Sequence, residues 1–74
     1  MPLPPQTEYR DFLALLRSIG FQGPFQRGKH PFMRRGSHTI HIPNPHGFPI
    51  LSGKLRRILR NGGILEAYEA ALER

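Results

Sequence analysis

Residues 28–43 read Gly28-Lys29-His30-Pro31-Phe32-Met33-Arg34-Arg35-Gly36-Ser37-His38-Thr39-Ile40-His41-Ile42-Pro43. His38 to Ile42 is the clearest strand of the chain. Thr39 and His41 point one way along it, Ile40 and Ile42 the other. Pro43 ends the strand because it has no N–H to give to a ladder. Arg35-Gly36-Ser37 is turn chemistry, with Gly36 able to take positive φ. Ahead of that turn, Pro31 to Arg35 reads as a second strand, with Phe32 as its main core residue. An antiparallel hairpin therefore occupies the middle of the chain.

Towards the N-terminus, Phe21 to Arg27 reads as a further strand. Gly23-Pro24 interrupts it, so it is irregular or lies at a sheet edge. Thr7 to Ile19 reads as a helix, with Tyr9, Phe12, Leu15, Leu16 and Ile19 on one face. Thr7 is the expected N-cap, Glu8 is favourable in the first turn, and Gly20 stops the helix. Met1 to Pro5 lacks both the basic and the apolar region of a signal peptide, and residues 1–6 read as an extended tail.

Towards the C-terminus, Asn44 to Gly53 is a loop rich in proline and glycine. A second helix runs from about Ser52 to Asn61. Leu51, Leu55, Ile58 and Leu59 form its buried stripe, and Arg56, Arg57 and Arg60 project from the other side. Gly62-Gly63 closes it. Leu65 to Leu72 is a short third helix with Leu65, Tyr68 and Leu72 on one face. The expected fold is one α+β domain spanning residues 1–74: two layers in the order α-β-β-β-α, with a short C-terminal helix.

The 74 residues contain no cysteine, which excludes disulfides and cysteine-based zinc sites and fits a reducing cytoplasm. No apolar run approaches the ~18 residues of a membrane span. The net charge is +6, and its placement is more informative than its size. All five acids lie near the ends, at Glu8, Asp11, Glu66, Glu69 and Glu73. From Phe12 to Leu65 there is none, while Arg17, Arg27, Lys29, Arg34, Arg35, Lys54, Arg56, Arg57, Arg60 and every histidine fall there. A field of one sign attracts a polyanion, whereas charge kept for solubility is normally mixed.

The segment Gly28-Lys29-His30-Pro31 carries the most chemistry. Gly28 permits a sharp turn, and Pro31 biases His30 to an extended conformation at the start of a strand. Histidine titrates near neutrality, so such a group can take a proton from a ribose 2′-hydroxyl, with nearby Arg27, Lys29 and Arg34 stabilising the phosphate. The bland alternative is a histidine that only hydrogen-bonds phosphate or caps the turn. Lys54, Arg56, Arg57 and Arg60 on the second helix are further candidates for phosphate contact. His38 reads as an exposed strand residue, His41 as a lining residue of an RNA surface, and His46 as a support of the proline-rich loop. His38 and His41 face opposite sides of a strand and no acid lies nearby, so no metal site and no cofactor is expected. Phe21, Phe25, Phe32 and Met33 are candidates for base stacking, with core packing the expected role for most of them.

Together these residues resemble the HicA family of toxin–antitoxin ribonucleases (YcfA-like mRNA interferases). The likeness covers roughly Phe12 to Ile64. It rests on Gly20-Phe21, Gly28-Lys29-His30, Ile42-Pro43-Asn44-Pro45-His46, and Leu55-Arg56-Arg57-Ile58-Leu59-Arg60-Asn61-Gly62-Gly63-Ile64. The resemblance implies a fold like the double-stranded RNA-binding domain, metal-independent cleavage of mRNA by a single histidine, arrest of growth under stress, and a HicB-like antitoxin as partner. The family's histidine lies in a Gly-Ser-His motif, and Gly36-Ser37-His38 matches it literally. The family also places two strands and their turn between that histidine and the proline after the third strand. Thirteen positions separate His30 from Pro43 and only five separate His38 from it, which assigns the role to His30. Lys29 stands where serine is usual, and Gly62 where alanine is more common. The competing expectations are a non-catalytic RNA-binding module and a basic interaction protein for an acidic partner.

Overall fold

A computed structural model of the chain describes residues 3–43 and 49–73. In chain order it contains β1 (Gln6–Thr7), α1 (Tyr9–Ser18), β2 (Gln22–Arg27), β3 (His30–Arg35), β4 (His38–His41), β5 (Ile50–Leu51), α2 (Ser52–Asn61) and α3 (Leu65–Leu72). The fold is α+β: a helix, a three-stranded antiparallel sheet in the order β2-β3-β4, a second helix and a short C-terminal helix. No helix of the described residues is long and apolar enough to cross a membrane. His46 and the rest of Asn44 to Phe48 lie outside the described residues.

Two tight hairpins set the register of the sheet. Gly28-Lys29 joins β2 to β3 and pairs Arg27 with His30, while Gly36-Ser37 joins β3 to β4 and pairs Arg35 with His38. Each turn has glycine at positive φ in its first position, +62° at Gly28 and +59° at Gly36, as a two-residue hairpin turn of the primed type allows. Counting back from the second turn pairs Arg34 with Thr39, Met33 with Ile40 and Phe32 with His41. The ladder continues past β4, where the Ile42 N–H donates to the Pro31 carbonyl at 3.0 Å. Strand β2 is an edge strand, and its register shifts between Gln22 and Phe25 around a cis Gly23–Pro24 bond.

This register overturns one expectation. Met33, not Phe32, is the core residue of β3: it is fully buried opposite Ile40, and Phe32 points to the other side of the sheet. The inner face also carries Phe21 and Ile42, and Phe12, Leu16, Leu55, Leu59, Ile64 and Tyr68 cover it from the helices. Burying a side chain of this kind contributes roughly 1.5–3 kcal/mol. Helix α1 lies against β2, α2 against β4, and α3 packs on both helices.

Both longer helices end in the same way. The Phe21 N–H reaches the Leu16 carbonyl and the Gly20 N–H that of Arg17; the Ile64 N–H reaches Leu59 and the Gly63 N–H reaches Arg60. These paired bonds are Schellman closures, and each one delivers a buried residue, Phe21 or Ile64, straight into the core. Arg35 reinforces the first closure. Its Nη1 donates to the Ile19 carbonyl at 2.8 Å, and its guanidinium lies 5.2 Å from the centre of the Phe21 ring.

The N-terminal segment is extended as expected but is tied down. Leu3 is buried, the Ser52 N–H donates to the Pro5 carbonyl at 3.0 Å, and β1 pairs antiparallel with β5. Thr7 is therefore a buried strand residue and not a helix cap; Glu8 precedes the first turn and makes no side-chain cap bond. Leu51, expected in the buried stripe of α2, is 62% exposed because it ends β5 one residue before the helix starts. His38, expected to be exposed, is half-buried on the inner side near Gly63.

Candidate nucleic-acid interface

All the helices pack on one face of the sheet, so the other face is open. Alternation along the strands brings to it Phe25 and Arg27 from β2, His30, Phe32 and Arg34 from β3, and Thr39 and His41 from β4. Arg27, His30, Phe32, Arg34, Thr39 and His41 line an open concavity of about 580 Å³. Two imidazoles, two guanidiniums, one hydroxyl and one ring are gathered there, with no carboxylate among the lining residues. Of the five acids, Glu8 immediately precedes α1, Asp11 lies in its first turn, Glu66 and Glu69 lie on α3, and Glu73 follows it.

His30 is the first residue of β3 and is exposed. Its backbone is held by pairing with Arg27, and the turn before it is steadied by Gln26, whose Nε2 donates to the Gly28 carbonyl at 3.0 Å. Pro31, which donates no N–H, sits next to it at the strand's start and turns inward. The imidazole is thus placed on a rigid sheet rather than a loose loop, beside Arg27 and on the same face as Arg34. Lys29 occupies the turn and is exposed.

The sequence-level candidates divide between two surfaces. Arg27, His30 and Arg34 come together on the open sheet face. Lys54, Arg56, Arg57 and Arg60 all belong to α2, in the helical layer. Lys54, Arg57 and Arg60 are exposed and Arg56 is half-buried; Arg60 borders a separate depression with Gly63, Leu65, Glu66 and Ala67. The candidates for phosphate contact therefore lie on two surfaces, because α2 packs against β4 from behind.

Of the four base-stacking candidates, Phe25 and Phe32 lie on the open face, whereas Phe21 and Met33 are buried in the core. Phe25 and Phe32 are directly paired across β2 and β3, their ring centroids are 5.5 Å apart, and Phe25 is 40% exposed. An apolar pair on the outer face, flanked by Arg27 and Arg34, offers π-surface and positive charge together. The signal was available in the sequence: with Ile40 and Ile42 turned inward and a two-residue turn at Gly36-Ser37, the register itself sends Phe32 outward with His41.

Comparison with protein-family models, with curated proteins and with solved structures returns no match to this chain.

Proposed function

We propose that the chain is an RNA-binding endoribonuclease that uses the open face of its sheet as the RNA surface and His30 as its proton-transfer residue. The observation that carries this reading is the single concavity in which exposed His30 stands with Arg27, Arg34, Phe32 and His41 and without a carboxylate. A ribose–phosphate backbone laid across it meets guanidiniums suited to phosphate oxygens and an imidazole suited to a 2′-hydroxyl. Attack of that hydroxyl on the adjacent phosphorus needs no metal in this scheme, because Arg27 and Arg34 take up the charge on the phosphate oxygens. The resemblance of Phe12–Ile64 to the HicA family supports the further proposal of a growth-arresting toxin that acts on mRNA and is held in check by a HicB-like antitoxin.

Induced expression of the wild type against His30→Ala tests the reading, together with cleavage of a labelled RNA in EDTA. The expected result is cleavage and growth arrest for the wild type only, with RNA affinity kept by the variant. Equal cleavage by both proteins would remove His30 from the chemistry. A second reading, a non-catalytic RNA-binding module, is favoured by the Phe25–Phe32 pair, since stacking needs no proton transfer. Binding without cleavage by the wild type would select it.

A further inference from the structure

The open face holds a second imidazole whose place follows from the register. His41 is paired with Phe32, and His30 lies two residues before Phe32 on the same side of β3. His30 and His41 are therefore diagonal neighbours across the strand pair, exposed on one face and lining one concavity. Diagonal positions of an antiparallel pair lie roughly 7–8 Å apart, against about 4.5–5.5 Å for directly opposed ones. The wider spacing suits an in-line displacement, in which the attacking and leaving oxygens stand on opposite sides of phosphorus and the base and acid must be set apart.

We propose that His41 is the general acid of the site, protonating the leaving 5′-oxygen while His30 deprotonates the attacking 2′-hydroxyl; this rests on the ribonuclease reading above. In the step, a nitrogen of His30 takes the 2′-hydroxyl proton as the 2′-oxygen bonds to phosphorus. The bond from phosphorus to the 5′-oxygen breaks, its electron pair stays on that oxygen, and the oxygen takes the proton of the His41 imidazolium. The products are a 2′,3′-cyclic phosphate and a 5′-hydroxyl end. Proton exchange with water restores His30 and His41, and no further reactant enters.

The other side chains of the face are poorly suited to this role. Arg27 and Arg34 are guanidiniums, which keep their protons at any ordinary pH and serve as charge. Thr39 offers a neutral hydroxyl, and no carboxylate lines the concavity. His38 has the right chemistry but faces the opposite layer, near Gly63. Among the described residues lining the concavity, His41 is the one imidazole beside His30, and imidazole is the side chain most often used for proton transfer.

A leaving group that needs no protonation separates the two roles. An RNA in which a sulfur bridges phosphorus and the 5′-carbon leaves as a thiolate without help from an acid. His41→Ala, with His41→Asn as the isosteric companion, should cleave ordinary RNA about 100-fold or more slowly than the wild type. On the sulfur-bridged RNA both variants should return to within about tenfold of the wild type, while His30→Ala should stay inactive. Thermal unfolding should change little, since the ring is exposed. Unchanged cleavage of ordinary RNA by the His41 variants would overturn the proposal, as would a deficit of equal size on both substrates. Rescue of His30→Ala in place of His41→Ala would overturn the assignment by reversing it. If the wild type cleaves neither substrate while still binding RNA, the ribonuclease reading itself fails and this one falls with it.

Discussion

The side chain of Ile40 fills the space into which a Cβ on Gly62 would project. Gly62 has ordinary helical backbone angles, so the need for glycine there comes from packing and not from conformation. The C-terminal turn of α2 sits directly on β4, and Ile40 is only 1% exposed, with little room to give way. Gly62→Ala, a change that raises helix propensity, should therefore destabilise the fold by about 1–3 kcal/mol. Chemical denaturation of the two proteins measures it, and a stability gain would show that Ile40 repacks freely.

Thr7 presents the opposite situation. Its residue is 8% exposed and its Oγ1 has no hydrogen-bond partner among the described residues. A buried hydroxyl left unpaired costs the free energy of stripping its water. Thr7→Val keeps the branched shape and the pairing with Ile50, and should raise stability by about 1 kcal/mol. A loss of stability would mean that the hydroxyl is solvated in solution.

Burial pushes the Tyr68 phenol up from 10.0 to about 12, and the Asp11 carboxylate adds to the shift in the same direction. The native state thus holds this proton more tightly than the unfolded chain does. Its contribution to stability is complete below about pH 10 and is lost as the pH climbs from about 10 to 12. Unfolding free energies of the wild type and Tyr68→Phe should run parallel up to pH 10, after which the wild type should fall faster. Curves that stay parallel through pH 12 would contradict the shift.

On the open face, RNA affinity should respond to charge and to ring area separately. Arg27→Gln and Arg34→Gln should each reduce the slope of log affinity against log salt by about 0.7, the value of one phosphate contact on a single strand. Arg57→Gln and Arg60→Gln on α2 should leave that slope unchanged. Phe25→Ala should weaken binding by about 1–3 kcal/mol at every salt concentration, with the fold intact because the ring is 40% exposed. Filter binding across a salt series reads all three, and a slope that follows the α2 arginines would move the RNA to the helical layer.

How much of this was legible in the sequence depends on how local the cause is. Helix α2 and helix α3 run over the residues their periodicity marks, and the two hairpins announce themselves by Gly28 and Gly36. The pairing of β1 with β5 was not legible, because two-residue strands have no pattern of their own and exist only where the fold brings Thr7 to Ile50. Phe32 and Met33 were exchanged for a different reason. Size favoured the phenylalanine as the core residue, while register, which a one-residue slip would reverse, favours the methionine. The register also gathers the site: once Phe32 is seen to point outward, Phe25, His30, Arg34 and His41 follow it by alternation. The division of the arginines between two layers needed the packing of α2 on β4, which no local motif encodes.

The strands present their two sides to different demands. Met33, Ile40 and Ile42 hold the domain together, whereas the residues between them face outward and contribute little to the core. Substitution at these alternate positions can therefore reshape the chemistry of the open face while leaving the ability to fold almost untouched. In a lineage descended from such a chain, the outward surface is free to diverge while the inward one stays held.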